Sequence, residues 1–295
     1  MNPPPKYDVE AVGAPYVDFT QLEKGTKCGY LKGLIKDICF AVTRLFTRCG
    51  RSENYNVKIS EKPSEGLICM FHGLKAHPSQ HDRIRDALVA DHGEMVTYYQ
   101  PHVEKAGNGK RSEIVQPHLA EVIKWTENNP GKPVCLIGIS NGVLLSSEIA
   151  IALKDLEIPV KVFGIAGPVF GTTMMNKPEA SLAAQEEWNS LLQSKLPMIG
   201  GHSAEVINEM SWGGAPAKDL IDRIRIAADQ GVSFEFCATS DDSKVTPATS
   251  GLPSLVNGAK YHVFSGEGHS SIADAAIPRI KESMANFLAV NQEVA

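Results

Sequence analysis

From residue 56 onward, short apolar runs alternate with longer segments whose apolar residues recur at helical spacing. The runs span 56–60, 67–71, 95–99, 134–137, 160–166, 233–238 and 260–264. Each has strand length and is rich in Val, Ile, Phe, Tyr or Cys. Between them, 80–90, 112–128 and 143–153 carry apolar residues at helical intervals, and 271–290 does so after the last run. Strands alternating with helices predict an α/β fold, with a mainly parallel sheet covered by helices on both faces. In such a sheet ligands gather at the carboxyl ends of the strands.

One stretch interrupts the alternation. Residues 170–231 are too long for a simple crossover and read as helical in pieces, at 180–196, 204–210 and 217–228. They carry Met174, Met175, Trp188, Met198, Met210 and Trp212. Insertions beside a strand end often serve as lids or binding surfaces, so 170–231 is expected to be a helical cap. The same apolar residues could simply seat it on the domain.

The domain proper is expected over 55–295. Before it, residues 1–54 form an irregular, proline-bearing arm and an amphipathic helix over 29–48. Leu31, Leu34, Ile35, Ile38, Val42, Leu45 and Phe46 fall on one arc of that helix. Lys32, Lys36, Arg44 and Arg48 fall on the other, with Phe40 as an apolar exception. Such a helix packs its apolar arc on the domain and leaves the basic face in water. The alternative is that it rests on an anionic membrane surface.

Bulk properties narrow the class. The 295 residues allow one large domain or two small ones. A formal charge of −5 gives no electrostatic case for nucleic acid. No stretch approaches a membrane span, and the N-terminus lacks the apolar core of a secretory signal. A cytoplasmic or peripheral-membrane location is expected. Of six cysteines, Cys69, Cys135 and Cys237 sit in predicted strands and read as buried free thiols. No Cys-x-x-Cys pair supports a zinc site.

The chemistry centres on Gly138-Ile139-Ser140-Asn141-Gly142, lying between an apolar strand and a helix. Flanking glycines let two segments pass closely while the serine is held in a strained, exposed turn. A serine hydroxyl needs a base, and the base needs an orienting acid. Asp242 and His269 follow in chain order, each just past a predicted strand. His72, His77 and His81 lack the spacing of a catalytic metal motif. The 107–110 segment lacks the full phosphate-loop pattern and reads as a loop. Val96, Tyr99 and Lys105 fit a loose sterol-contact pattern that falls on a predicted strand, and it is set aside.

With these pieces the chain resembles the α/β-hydrolase superfamily, whose triads run serine, acid, histidine. The resemblance covers roughly residue 55 to the C-terminus. It rests on the 138–142 elbow, Asp242-Ser243-Lys244-Val245, Gly268-His269 and His72-Gly73. The His72-Gly73-Leu74 turn and Ile165-Ala166-Gly167-Pro168 look like lipase and esterase members. The resemblance implies a triad of Ser140, Asp242 and His269, with Asp241 as the alternative acid. It also implies an oxyanion hole from the backbone N–H groups of Leu74 and Asn141. The expected activity is hydrolysis of a carboxylic ester on a small-molecule or lipid substrate with an apolar acyl chain. A thioesterase or a non-catalytic binding protein on the same scaffold remain the alternatives, and neither cofactor nor metal is implied.

Overall fold

The computed structural model describes residues 27–48, 55, 58–60, 62, 64–175, 202–253 and 256–292, with side chains of the first helix from Cys28 to Cys39. Six strands form one parallel sheet. They are β1 (Gly66–Phe71), β2 (Val96–Tyr99), β3 (Val134–Ile139), β4 (Val160–Ile165), β5 (Ser233–Thr239) and β6 (Lys260–Phe264). Their spatial order is β2-β1-β3-β4-β5-β6. The chain leaves β1 for one edge and returns to its other side as β3, so the order reverses between β1 and β3. Every residue of β1, β3 and β4 is buried. This is why these strands read as apolar runs rather than alternating ones, broken in β4 by Lys161, which is buried against Glu235 at 3.0 Å.

The helices are α1 (Lys27–Arg48), α2 (Asp82–His92), α3 (Arg111–Asn128), α4 (Asn141–Leu153), α5 (Ala204–Met210), α6 (Ala215–Asp229), α7 (Ile272–Ala275) and α8 (Ile277–Gln292). Successive strand residues face opposite sides, so two cores form. Leu67, Cys69, Phe71, Leu136 and Val162 pack with α3, α4 and α6. Ile68, Met70, Cys135, Ile137 and Phe163 pack with α2, α7 and α8. Cys69, Cys135 and Cys237 are buried and unpaired by disulfides.

Several expectations change. Residues 58–60 are not a strand, and 56–57 lie outside the described residues. The helix expected over 271–290 is split into α7 and α8 at Ala276. Pro278 stands just after the break, in the first turn of α8, where a missing backbone N–H costs nothing. Of the segment 170–231, the helix expected over 180–196 lies outside the described residues, as does the arm before Lys27. Helix α6 packs on α4 and buries Leu220, Ile221 and Ile224. It is therefore the crossover helix between β4 and β5, part of the layer covering the sheet.

The largest difference is α1. The helix is present, but the described part of its apolar arc, up to Ile38, is turned away from the domain. Leu31, Ile35 and Ile38 are more than half exposed. The inward side is Gly29, Gly33, Lys36 and Asp37. A Cβ on Gly33 would lie 2.9 Å from the carbonyl oxygen of Glu267, and one on Gly29 would lie 2.6 Å from a carboxylate oxygen of Asp241. The two glycines, four apart, let the helix backbone approach the loops after β5 and β6. Lys36 pairs with Glu267. The Asp37 carboxylate accepts from the amides of Ser270 and Ser271, at 2.8 and 3.1 Å.

Candidate active site

All six strands run the same way, so their carboxyl ends share one edge. His72, Gln100, Ser140, Ala166, Ser240 and Ser265 each follow a strand there. Ser140 occupies the turn between β3 and α4 with φ 56° and ψ −123°. A non-glycine residue there costs about 1–3 kcal/mol, and such strain gathers at functional positions. The flanking glycines explain how the turn closes. A Cβ on Gly142 would lie 1.8 Å from the Phe71 carbonyl oxygen, and one on Gly138 would lie 2.4 Å from the Gly142 carbonyl oxygen. The start of α4 therefore slides directly past the end of β1, a path closed to any larger residue. The Ser140 amide donates to the Ile165 carbonyl at 2.8 Å, tying the turn to the end of β4.

Asp242 and His269 come from the loops after β5 and β6. Both are almost fully buried, at 7% and 5% exposure. His269 Nδ1 lies 2.9 Å from Asp242 Oδ2 and 3.0 Å from Oδ1. Asp242 Oδ1 also accepts from the amides of Lys244 and Val245, at 2.7 and 2.9 Å. A carboxylate held this way acts only as an acceptor, so it favours the His269 proton on Nδ1 and leaves Nε2 with the free lone pair. Among the described residues no hydrogen bond joins Ser140 Oγ to His269.

The neighbouring Asp241 is placed differently. Its Oδ2 accepts from the Gly266 amide at 2.6 Å and the Ser240 hydroxyl at 3.2 Å. It braces the turn leading to His269 and packs under Gly29 of α1.

The turn after β1 lies against the serine. A Cβ on Gly73 would lie 3.1 Å from the Ser140 Cβ. The turn is braced from two sides. The Gly73 amide donates to Gln80 Oε1 at 2.7 Å, and the Lys75 amide donates to the Ala106 carbonyl at 2.7 Å. Asn141 is the first residue of α4, so its amide has no intrahelical acceptor and sits at the positive end of the helix dipole. The Asn141 side chain donates to the Gly107 carbonyl at 3.3 Å. Gln80, Gly107 and Asp37 were not anticipated from sequence: Gln80 and Asp37 accept from backbone amides of other turns, and the Gly107 carbonyl accepts from the Asn141 side chain.

His72 is held as a neutral ring. Its Nε2 accepts from the Val103 amide at 3.2 Å, and Nδ1 contacts the Gly73 carbonyl at 2.9 Å. Burial lowers its pKa to about 4, against the bond to Gly73 and with added repulsion from His102, His77 and His118. It is a brace for the turn. Among the described residues no group of His, Cys, Asp and Glu is arranged to hold a metal ion.

The expected cap borders this site in its described part. The Arg111 amide donates to the Glu209 carboxylate of α5, and the Ser203 amide donates to Asn108 Oδ1 at 2.8 Å. Thus α5 leans on the 107–111 segment that touches Asn141.

No protein-family model matches the chain, and no curated protein matches it either. Solved structures do. The peroxisomal alpha-beta-hydrolase Lpx1 of Saccharomyces cerevisiae is 12% identical, covering 78% of this chain and 78% of its own, with a TM-score of 0.54. A structure of the metagenome-derived lipolytic enzymes LipS and LipT is 18% identical, covering 77% of this chain and 94% of that one, with a TM-score of 0.50. A protein of Mycobacterium tuberculosis is 12% identical over 78% of this chain and 92% of its own, with a TM-score of 0.51. The chain has the α/β-hydrolase fold.

Proposed function

We propose that this protein is a serine hydrolase that cleaves a carboxylic ester through an acyl-enzyme intermediate. One observation carries the reading. Ser140 is held in a strained turn at a helix N-terminus, on the same strand edge as the buried Asp242–His269 pair. Fold likeness alone would not support an activity, because this fold hosts many functions.

In this reading Ser140 Oγ attacks the ester carbonyl while its proton passes to His269 Nε2. That step requires Oγ to come within hydrogen-bond reach of Nε2 when substrate binds, a contact often completed only in the complex. The tetrahedral oxyanion is received by the amides of Leu74 and Asn141. Each donor of this kind contributes about 3 kcal/mol to the transition state. Collapse breaks the ester C–O bond, and the departing alkoxide takes the proton from His269. Water then attacks the acyl-serine and gives its proton to His269; collapse breaks the acyl–Oγ bond, Ser140 Oγ takes that proton back, and the acid is released. Asp242 keeps the ring oriented and stabilises the imidazolium in both halves.

The substrate is proposed to carry an apolar acyl chain, because the 172–175 segment, tied to the loop after β5 by the Thr173 amide donating to the Thr246 carbonyl, presents Met174 49% exposed. A panel of aryl esters and acyl thioesters of increasing chain length tests the reading. The expected result is turnover by the wild type that rises with chain length and vanishes in Ser140→Ala. Preference for thioesters would move the reading to a thioesterase. Equal rates for wild type and Ser140→Ala would end it.

A further inference from the structure

Helix α1 is amphipathic in an inverted sense. It meets the domain through Gly29, Gly33, Lys36 and Asp37 and presents its apolar residues from Tyr30 to Ile38 outward. Tyr30 is 46% exposed, Leu31 57%, Leu34 36%, Ile35 53% and Ile38 55%. These side chains form one stripe along two and a half turns. A soluble domain rarely leaves so contiguous a row uncovered unless something docks there.

The charge on the helix indicates what docks. Over Lys27–Arg48 there are five basic residues, Lys27, Lys32, Lys36, Arg44 and Arg48, against one acid, Asp37. That acid is turned inward and bound to the Ser270 and Ser271 amides, and Lys36 beside it is likewise turned inward and paired with Glu267. Lys32 is exposed beside the apolar row. The chain as a whole carries −5, so this helix is a cationic element on an acidic protein. A second copy pairing through the same face would bring like charges together. An anionic lipid surface satisfies both parts, since acyl chains accept the leucines and isoleucines while headgroups attract the lysines. No helix among the described residues is long and apolar enough to cross a membrane, so α1 would lie in the interface plane.

We propose that the outward face of α1 docks this protein on an anionic lipid surface. The inward face of the helix is clamped to the 266–271 segment, so docking sets the carboxyl edge of the sheet beside the bilayer. The proposal does not depend on the reaction catalysed there.

The test is co-sedimentation of the full chain with phosphatidylcholine vesicles, with and without phosphatidylserine. The wild type should pellet with the phosphatidylserine vesicles, less so as salt is raised. Lys32→Glu changes the local charge by two and should weaken binding at least about tenfold. The triple variant Leu31→Gln, Ile35→Gln, Ile38→Gln should weaken it more than about hundredfold. All four positions are exposed, so melting curves should match wild type, and Lys32→Glu provides an independent arm if the triple variant does not fold. Failure of the wild type to pellet overturns the proposal. So does pelleting unaffected by either variant. Analytical ultracentrifugation decides the remaining case: a dimer dissolved by the triple variant would assign the face to a second copy and overturn the lipid assignment.

Discussion

Replacing Asp242 by Asn isolates what the buried pair contributes. Asp242 Oδ1 is fixed by two backbone amides, at 2.7 and 2.9 Å, so the asparagine must place its carbonyl oxygen there or lose both bonds. Its amide nitrogen then takes the Oδ2 position, 2.9 Å from His269 Nδ1. A donor now faces the nitrogen that carried the proton. The ring shifts its proton to Nε2 and can no longer act as base toward Ser140. Both side chains are buried, so water does not restore the lost charge. The expected loss in kcat/KM is on the order of 10⁴-fold, as when a triad acid is neutralised, or about 5 kcal/mol. Stability should fall by only about 1 kcal/mol, because the backbone bonds survive. Asp241→Asn is the paired control. Its oxygen can still accept from Gly266 and Ser240, so activity should drop no more than about tenfold. Ester hydrolysis and urea melts on the two variants decide the matter. Near-wild-type turnover in Asp242→Asn, or a larger loss in Asp241→Asn, would refute the assignment of the acid.

Two further outcomes follow from the braces around the site. His72 and His118 are both buried, and each is held to a pKa of about 4 against an ordinary 6.5. The unfolded chain therefore binds more protons between these values. The stability they provide is fully present above pH 6.5 and is lost as pH falls through about 4, by about 3 kcal/mol for each histidine. Urea melts across that range check this, and a midpoint that does not fall with pH counts against it. Gln80→Leu removes the acceptor for the Gly73 amide and should loosen the turn carrying Leu74. The expected result is a kcat lowered about tenfold with KM little changed; steady-state kinetics with unaltered kcat would remove Gln80 from the account.

The sheet was readable because β1, β3 and β4 are buried on both faces and so appear as apolar runs, broken only in β4 by Lys161, which pairs with Glu235. The strand-edge placement of the candidate residues was legible too. Leu74 lies just past β1, Ser140 and Asn141 past β3, and Asp242 and His269 past β5 and β6, and the parallel sheet gathers those ends on one edge. Residues 58–60 were misread because they are apolar in part but do not join the sheet. Helix α1 was misread in its orientation. Amphipathicity ordinarily sends the apolar arc inward, but here two glycines and the polar pair Lys36–Asp37 make the contact. Nothing local in the sequence says that Asp37 will bind amides more than 230 positions away, at Ser270 and Ser271. The same holds for Gln80, whose side chain accepts from the Gly73 amide, and for Gly107, whose carbonyl accepts from the Asn141 side chain.

The central claim is that Ser140 is an activated nucleophile. Its most direct test is incubation with a fluorophosphonate probe followed by peptide mass spectrometry. One adduct is expected, on Ser140, absent in Ser140→Ala and much slowed in Asp242→Asn. No adduct on the folded wild type, or an adduct on another residue, would contradict it.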